Sequence, residues 1–350
     1  MRSLIYKAKT AIHNNAALYE KLYNLVTYNK DYAAQRAEAD KYISKFGGMW
    51  TDRADFKQKL AAKKAVSELQ TQQLHDWHDN GIVTLSRAID PDLIERYLRQ
   101  TETLGRQSPS PLRMTSAALD VPTLFQPEQF LQTPSARLVD DYMFSPASRE
   151  ILFNAQILDF LTLIFERDSV LTQSLRFNQG SQQPIHQDTA FVRMNSPMKL
   201  VGVWVALEDI KPGTGELLYL PGSHKWEGYL FSDRFKHYDE ARDGKAQLDK
   251  WHQWILDEAD RRGVTPQSFH AKKGDVLFWH AALAHGGAPI DNPNSTRLSL
   301  VGHYCPRGVR PLYHYYKPAQ RKIYREASNL YTTSYYSQAE VKRSNTSQIE

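Results

Sequence analysis

His186 and Asp188 lie two positions apart in the stretch GSQQPIHQDTAF, residues 180–191. On an extended strand, side chains at i and i+2 project from the same face, so one imidazole and one carboxylate can chelate a single cation. A lone His-x-Asp pair is common by chance, and its meaning depends on a third ligand from a distant strand. The segment 274–305, GDVLFWHAALAHGGAPIDNPNSTRLSLVGHYC, offers His280 and His285. His280 ends an apolar run beside Trp279, where a hydrogen-bonded core histidine is the plainer reading. His285 precedes Gly286-Gly287, and glycines let a backbone turn tightly around a buried ion. Of the two, His285 is the preferred ligand. Two histidines and one carboxylate leave half of an octahedral shell open, which is the facial triad of non-haem Fe(II) oxygenases. The open positions suit a bidentate 2-oxo acid and O2. A closed zinc site would want a fourth protein ligand, and no cysteine stands in register to supply one.

Arg297 opens the alternating run Arg297-Leu298-Ser299-Leu300-Val301, twelve residues beyond His285. Arg297 and Ser299 share a face there, and a planar guanidinium beside a hydroxyl suits the distal carboxylate of 2-oxoglutarate. An arginine opening a strand is, on its own, more often a surface ion-pair partner. Gln183, Thr189 and Arg193 flank the His-x-Asp motif and are candidates to face co-substrate or substrate. His303 has the parity of Arg297 and Ser299 and is a candidate to point inward.

These residues need a sheet to hold them. After Val170 the chain reads as short strands bounded by Gly and Pro turns: LTQSLRFN, KLVGVWVAL, GELLYLP, DVLFWH and RLSLVGHYC. Loops rather than helices separate them, which argues for a sandwich or barrel over a parallel βαβ sheet. One polar insertion at 225–265, with Trp226, Trp251 and Trp254, reads as lid-like. Upstream, a helix from Leu69 stops near Asn80-Gly81 and a strand follows at Ile82–Leu85. Asp90 then caps a new helix with Pro91 at its first position. Residues 105–135 read as loop, and Ser145 to Arg167 as helical. Residues 1–66 form a helical N-terminal extension, with Leu4, Ile5, Ala8, Ala11 and Ile12 at helical spacing. Residues 306–350 form a basic, Tyr-rich tail.

Composition narrows the class. Of 350 residues, 41% are hydrophobic and 24% charged, ordinary globular values. The single cysteine, Cys305, excludes a disulfide framework and any Cys-based metal centre. Residues 1–66 carry 13 Lys and Arg against 6 Asp and Glu, and residues 305–350 carry 8 against 3. The middle is acidic, at 23 against 30, so the net charge of +5 belongs to the ends. Basic ends can pack on the acidic middle or meet an oligomer partner or an anionic surface. No Lys/Arg stripe interleaved with aromatics marks a nucleic-acid reader. No apolar run reaches the roughly 20 residues of a membrane span. The opening MRSLIYKAKTAIHNN lacks a signal-peptide core, so the expected compartment is the cytoplasm.

The motifs GSQQPIHQD, VGVWVALED, YLPGSHKW, KGDVLFWHAALAHGG and RLSL together resemble the phytanoyl-CoA dioxygenase family over residues 69–305. The resemblance implies a mainly β fold with flanking helices, a double-stranded β-helix (cupin-like jelly roll). It implies iron on His186, Asp188 and His285, and 2-oxoglutarate on Arg297 with Ser299 assisting and Trp204 lining the pocket. It implies that O2 and 2-oxoglutarate yield succinate and CO2 while a C–H of a small or carrier-linked substrate is hydroxylated. Desaturation, cyclisation or epimerisation by the same chemistry are alternatives, as is a cupin-like protein that binds ligand without turnover. Asp188 fills the position that related halogenases leave open for chloride, which argues against halogenation.

Overall fold

Runs of Val, Leu, Phe and Trp form strands because branched and aromatic side chains pack well on a pleated, buried surface. The computed structural model describes residues 41–44, 46–116, 122–133, 135–312 and 322–346. Its strands are β1 (Ile82–Leu85), β2 (Arg113–Thr115), β3 (Thr123–Leu124), β4 (Arg137–Val139), β5 (Ser169–Phe177) and β6 (Val201–Ala206). They continue with β7 (Leu217–Tyr219), β8 (Gln267–Phe269), β9 (Val276–His280), β10 (His285–Gly287), β11 (Ser299–Pro306), β12 (Tyr324–Glu326) and β13 (Asn329–Tyr331). The large sheet runs β1-β9-β6-β11-β5-β4-β2-β3, and β13 lies parallel to β5 while pairing with β12. The small sheet is β10-β7-β8, widened by a bridge between His186 and His285. This is a mostly antiparallel, cupin-like double-stranded β-helix with flanking helices.

Alternation along the central strands divides the interior. Val203 and Val205 of β6, Val276 and Phe278 of β9, and Leu300 and Tyr304 of β11 face the helices, packing with Leu74, Trp77, Ile157, Phe160 and Leu161. Trp204 and Ala206, Leu277 and Trp279, and Val301 face the other way, into the space where the site lies. The helix Glu68–Asn80 ends at Gly81, whose φ of 74° suits a residue without a β-carbon. The helix Pro91–Gly105 starts as expected, the Asp90 side chain accepting from Asp92 N at 2.8 Å.

Several expectations need correction. Residues 105–135 are not simply loop: β2, β3 and the helix Pro127–Gln132 lie there, too short for periodicity to reveal. The helical stretch from Ser145 is two helices, Pro146–Leu152 and Ala155–Phe165, because Asn154 breaks it and caps the second. Of the extension at 1–66, residues 1–40 lie outside the described residues, as does its suggested role in partner contact. Residues 46–61 are no separate appendage: Met49, Trp50, Phe56 and Leu60 are buried in the main core. Past residue 305, Leu330, Tyr335, Tyr336 and Val341 are likewise buried, and β13 is part of the sheet. The insertion at 225–265 builds a second apolar cluster from Trp226, Phe231, Trp251 and Ile255 against Ala190 and Ala284. Its long helix, Glu240–Arg262, is kinked at Gly244. Among the described residues no helix is long and apolar enough to cross a membrane.

Candidate active site

His186 and His285 face each other across the small sheet, each donating its backbone N–H to the other's carbonyl at 2.8 Å. Their rings repeat one arrangement. His186 Nδ1 lies 2.9 Å from the Pro184 carbonyl and His285 Nδ1 lies 2.9 Å from the Leu283 carbonyl. A carbonyl only accepts, so each Nδ1 carries the hydrogen and each Nε2 presents a lone pair. Asp188 Oδ1 stands 3.8 Å from His186 Nε2 and 3.7 Å from His285 Nε2. All three ligand atoms fall within 4.8 Å of one another, and all three residues are buried. Burial, with the His285 ring beside it, pushes His186 down to about 4, so its imidazole is neutral at ordinary pH. Burial raises the Asp188 carboxyl, but His285, His303 and His186 outweigh it and hold the group below the usual carboxylate range.

Asp188 does not continue a strand. It opens a single helical turn, Asp188–Phe191, after an extended Gln187. The two ligands converge because Gln187 is extended, not because both belong to a ladder. Gly286 and Gly287 are extended in β10, not in a tight turn. A β-carbon on Gly286 would come within 2.8 Å of the Gln183 carbonyl, so these glycines let the 182–185 backbone lie close. His280 is a buried core histidine: its Nδ1 accepts from Ala282 N at 3.0 Å, and its Nε2 faces Asp52 at 3.4 Å.

The second Asp188 oxygen has its own partners. Trp279 Nε1 donates to Oδ2 at 2.6 Å, and His303 Nε2 lies 3.5 Å from the same atom. The indole fits because position 202 is glycine; a β-carbon there would sit 2.1 Å from the ring. Gly202 is the direct neighbour of Trp279 in the β6–β9 pairing. Sequence reasoning passed over Trp279, although a glycine inside the apolar run VGVWVAL signals close approach of another group.

Arg297 lies just before β11, its backbone N–H donating to the Asn178 carbonyl at 2.9 Å. Its guanidinium carbon is 5.7 Å from the Phe177 ring centroid and 5.8 Å from that of Trp204. Burial draws Arg297 down to about 10, against the opposing pull of Glu216 and Glu208, and it remains charged at neutral pH. Arg297 Nε, Ser299 Oγ and Trp204 Nε1 are all buried without a hydrogen-bond partner among the described residues. Unpaired buried polar groups are costly, so a cluster of them beside one cavity fits an absent polar ligand. Donors of this kind suit a carboxylate.

The cavity between the sheets is lined by the triad, Trp204, Arg297, His303, Trp279, Phe177 and Gln183, with Leu175 and Val301 on the sheet side. Thr189 and Arg193 are not in that lining. Thr189 is buried and tied through its N–H to the Ala281 carbonyl at 3.1 Å. Arg193 donates to Asp239 at 3.2 Å and to the Tyr238 carbonyl at 2.8 Å, clamping the insertion instead of the cavity. His224 Nε2 meets the His78 carbonyl at 3.2 Å, tying its segment to the helix Glu68–Asn80 and not to the cavity. A residue not singled out from sequence, Arg137 of β4, pairs in register with Phe177 and holds its guanidinium carbon 5.6 Å from that ring. Arg137 Nε is also enclosed without a partner.

A cupin-like barrel with two imidazoles, one carboxylate and open coordination space defines the non-haem iron oxygenase class. The family model "Phytanoyl-CoA dioxygenase (PhyH)" matches residues 77–298, well over half of the chain. The chain belongs to the phytanoyl-CoA dioxygenase family and is an iron- and 2-oxoglutarate-dependent dioxygenase. Peroxisomal phytanoyl-CoA dioxygenase of Rattus norvegicus is 25% identical over 247 residues, covering 67% of this chain and 68% of the relative. The Homo sapiens protein is 22% identical over 257 residues, covering 68% of each. The non-heme alpha ketoglutarate dependent epimerase SnoN from nogalamycin biosynthesis shares the fold. Its TM-score is 0.51 at 15% identity, covering 75% of this chain and 96% of that one.

Proposed function

We propose that this dioxygenase hydroxylates an unactivated C–H of a small or carrier-linked organic substrate, with release of succinate and CO2. The supporting observation is the pairing of two sets of unsatisfied atoms. Nε2 of His186 and of His285 and Oδ1 of Asp188 converge on one point, and Arg297 and Trp204 present unpartnered donors in the same cavity, whose lining does not include the buried, unpartnered Ser299 hydroxyl. The first set would hold Fe(II). The second would hold the distal carboxylate of 2-oxoglutarate, with Gln183 at the cavity wall. When bound, iron with 2-oxoglutarate and O2 supplies the oxidising power for C–H cleavage.

The chain's own residues do the rest. The Pro184 and Leu283 carbonyls fix both histidine rings with Nε2 inward. Trp279 occupies Asp188 Oδ2 and so reserves Oδ1 for the metal. Leu175, Phe177 and Val301 keep the wall apolar, which excludes water and strengthens the charge interactions inside. Arg137, which like Arg297 lies beside the Phe177 ring, adds a second guanidinium near a site built for a dianion.

Anaerobic addition of Fe(II) and then 2-oxoglutarate should produce the weak visible charge-transfer band of the chelate. A wild-type chain without that band would falsify the co-substrate assignment. Succinate release across a metabolite panel, with mass analysis of the product, tests the outcome. A gain of one oxygen atom supports hydroxylation, whereas a loss of two hydrogens or an unchanged mass supports desaturation, cyclisation or epimerisation.

A further inference from the structure

A row of buried side chains leads from Asp188 to the C-terminal segment. His303 Nε2 is 3.5 Å from Asp188 Oδ2, His303 Nδ1 is 3.1 Å from Gln173 Oε1, and Gln173 Nε2 is 3.1 Å from the Tyr335 hydroxyl. His303 and Gln173 are neighbours in the β11–β5 pairing, which sets their spacing. Tyr335 is held in place independently. Its N–H donates to Thr333 Oγ1 at 3.1 Å, and Thr333 Oγ1 in turn donates to the buried Asp140 at 2.6 Å.

The proton inventory of this row decides its direction. With the Gln173 oxygen toward His303, the imidazole must carry hydrogen on Nδ1. In that orientation His303 Nε2 faces Asp188 Oδ2 at 3.5 Å and has no hydrogen-bond partner among the described residues. The oxygen and nitrogen of an amide have nearly the same shape, so the network settles which way it points. Turning the Gln173 amide over gives Gln173 and both nitrogens of His303 a matched partner. Tyr335 O–H then donates to Gln173 Oε1, Gln173 Nε2 donates to His303 Nδ1, and His303 Nε2–H donates to Asp188 Oδ2.

We propose that Tyr335 is a positioning residue for the metal centre, acting through Gln173 and His303 to aim a second N–H at Asp188 Oδ2. Together with the Trp279 indole, that N–H keeps Oδ1 as the metal-facing oxygen. This rests on the reading that His186, Asp188 and His285 hold a metal. Outer partners of this kind are worth about ten- to a hundredfold in metal affinity.

The test is Co(II) titration of the metal-free full chain, read by visible absorption, with the thermal midpoint of each metal-free variant recorded alongside. Tyr335→Phe is expected to weaken Co(II) binding about tenfold and to change the band, with the midpoint little altered. Gln173→Asn is a second break in the row and should do the same, should the first variant fail to fold. His303→Gln keeps an N–H in reach of Asp188 but has no imidazole Nδ1 for Gln173 to set. Whatever His303→Gln costs by itself, adding Tyr335→Phe to it should change nothing further. The relay is overturned if Tyr335→Phe leaves affinity and band unchanged, or costs as much in the His303→Gln background as alone. His285→Ala separates the two levels: if it binds Co(II) as wild type does, the metal reading itself fails and the relay falls with it.

Discussion

Trp279 Nε1 donates to Asp188 Oδ2 at 2.6 Å, so an indole from β9 fixes the carboxylate that stands between the two histidine Nε2 atoms. Trp279→Phe keeps most of the ring volume and removes the donor. Metal affinity should fall about ten- to a hundredfold, and competition against a chelator measures it.

His285→Ala and His280→Ala should separate cleanly. The first removes one of three converging ligand atoms and should abolish tight metal binding while the fold persists. The second should retain the metal and lose about 1–3 kcal/mol of stability, because Ala282 N and Asp52 lose a buried partner. Metal analysis after dialysis, with urea unfolding of both variants, checks the pair.

Arg297→Ala should leave metal binding intact and weaken 2-oxoglutarate by about a hundredfold, the cost of removing one partner from a buried charge pair. Titration of the visible band at fixed Fe(II) reads this directly. Loss of metal from the variant would instead assign Arg297 a structural part.

Asp140 sets a pH dependence away from the metal. Burial pushes its carboxyl up to about 7, against hydrogen bonds from Thr333, Ser174 and Ser334. A folded-state value above the unfolded one means the folded chain holds the proton more tightly. The contribution is therefore fully present below about 4 and is lost as pH rises toward 7, by roughly 4 kcal/mol in all. Urea unfolding of wild type against Asp140→Asn between pH 4 and 8 should show the wild type losing ground as pH rises. Parallel curves would contradict this.

Much of the site was legible because its ligand types and spacings are unusual. The His186-x-Asp188 spacing, the glycine pair after His285 and Arg297 twelve residues further on could each be read directly, and the cavity brings all four residues together. Their local conformations were less legible. The i, i+2 rule assumed a strand, whereas Asp188 starts a helical turn and only Gln187 is extended. Contacts set by strand register were out of reach altogether. Trp279 meets Asp188 across 91 positions of sequence, and Gln173 meets His303 across 130. Arg137 is adjacent to Phe177 only because β4 pairs with β5. Nothing local in RLV marks it as inward-facing. The divisions near residues 66 and 305 followed composition and charge, but burial ignores both: Trp50 and Tyr336 share one core with Trp77 and Phe160.

Because β13 lies against β5 and Tyr335 follows four residues later, the order of synthesis matters to this enzyme. All residues that line the cavity have been made by His303, yet the sheet they stand on is finished only when the segment beyond Asn329 emerges and docks. A ribosome-bound chain halted between those points would carry every residue that lines the cavity and an incomplete scaffold. Closure of the sheet around the centre thus waits on residues 329–336, which follow every lining residue in the chain and act as its clasp.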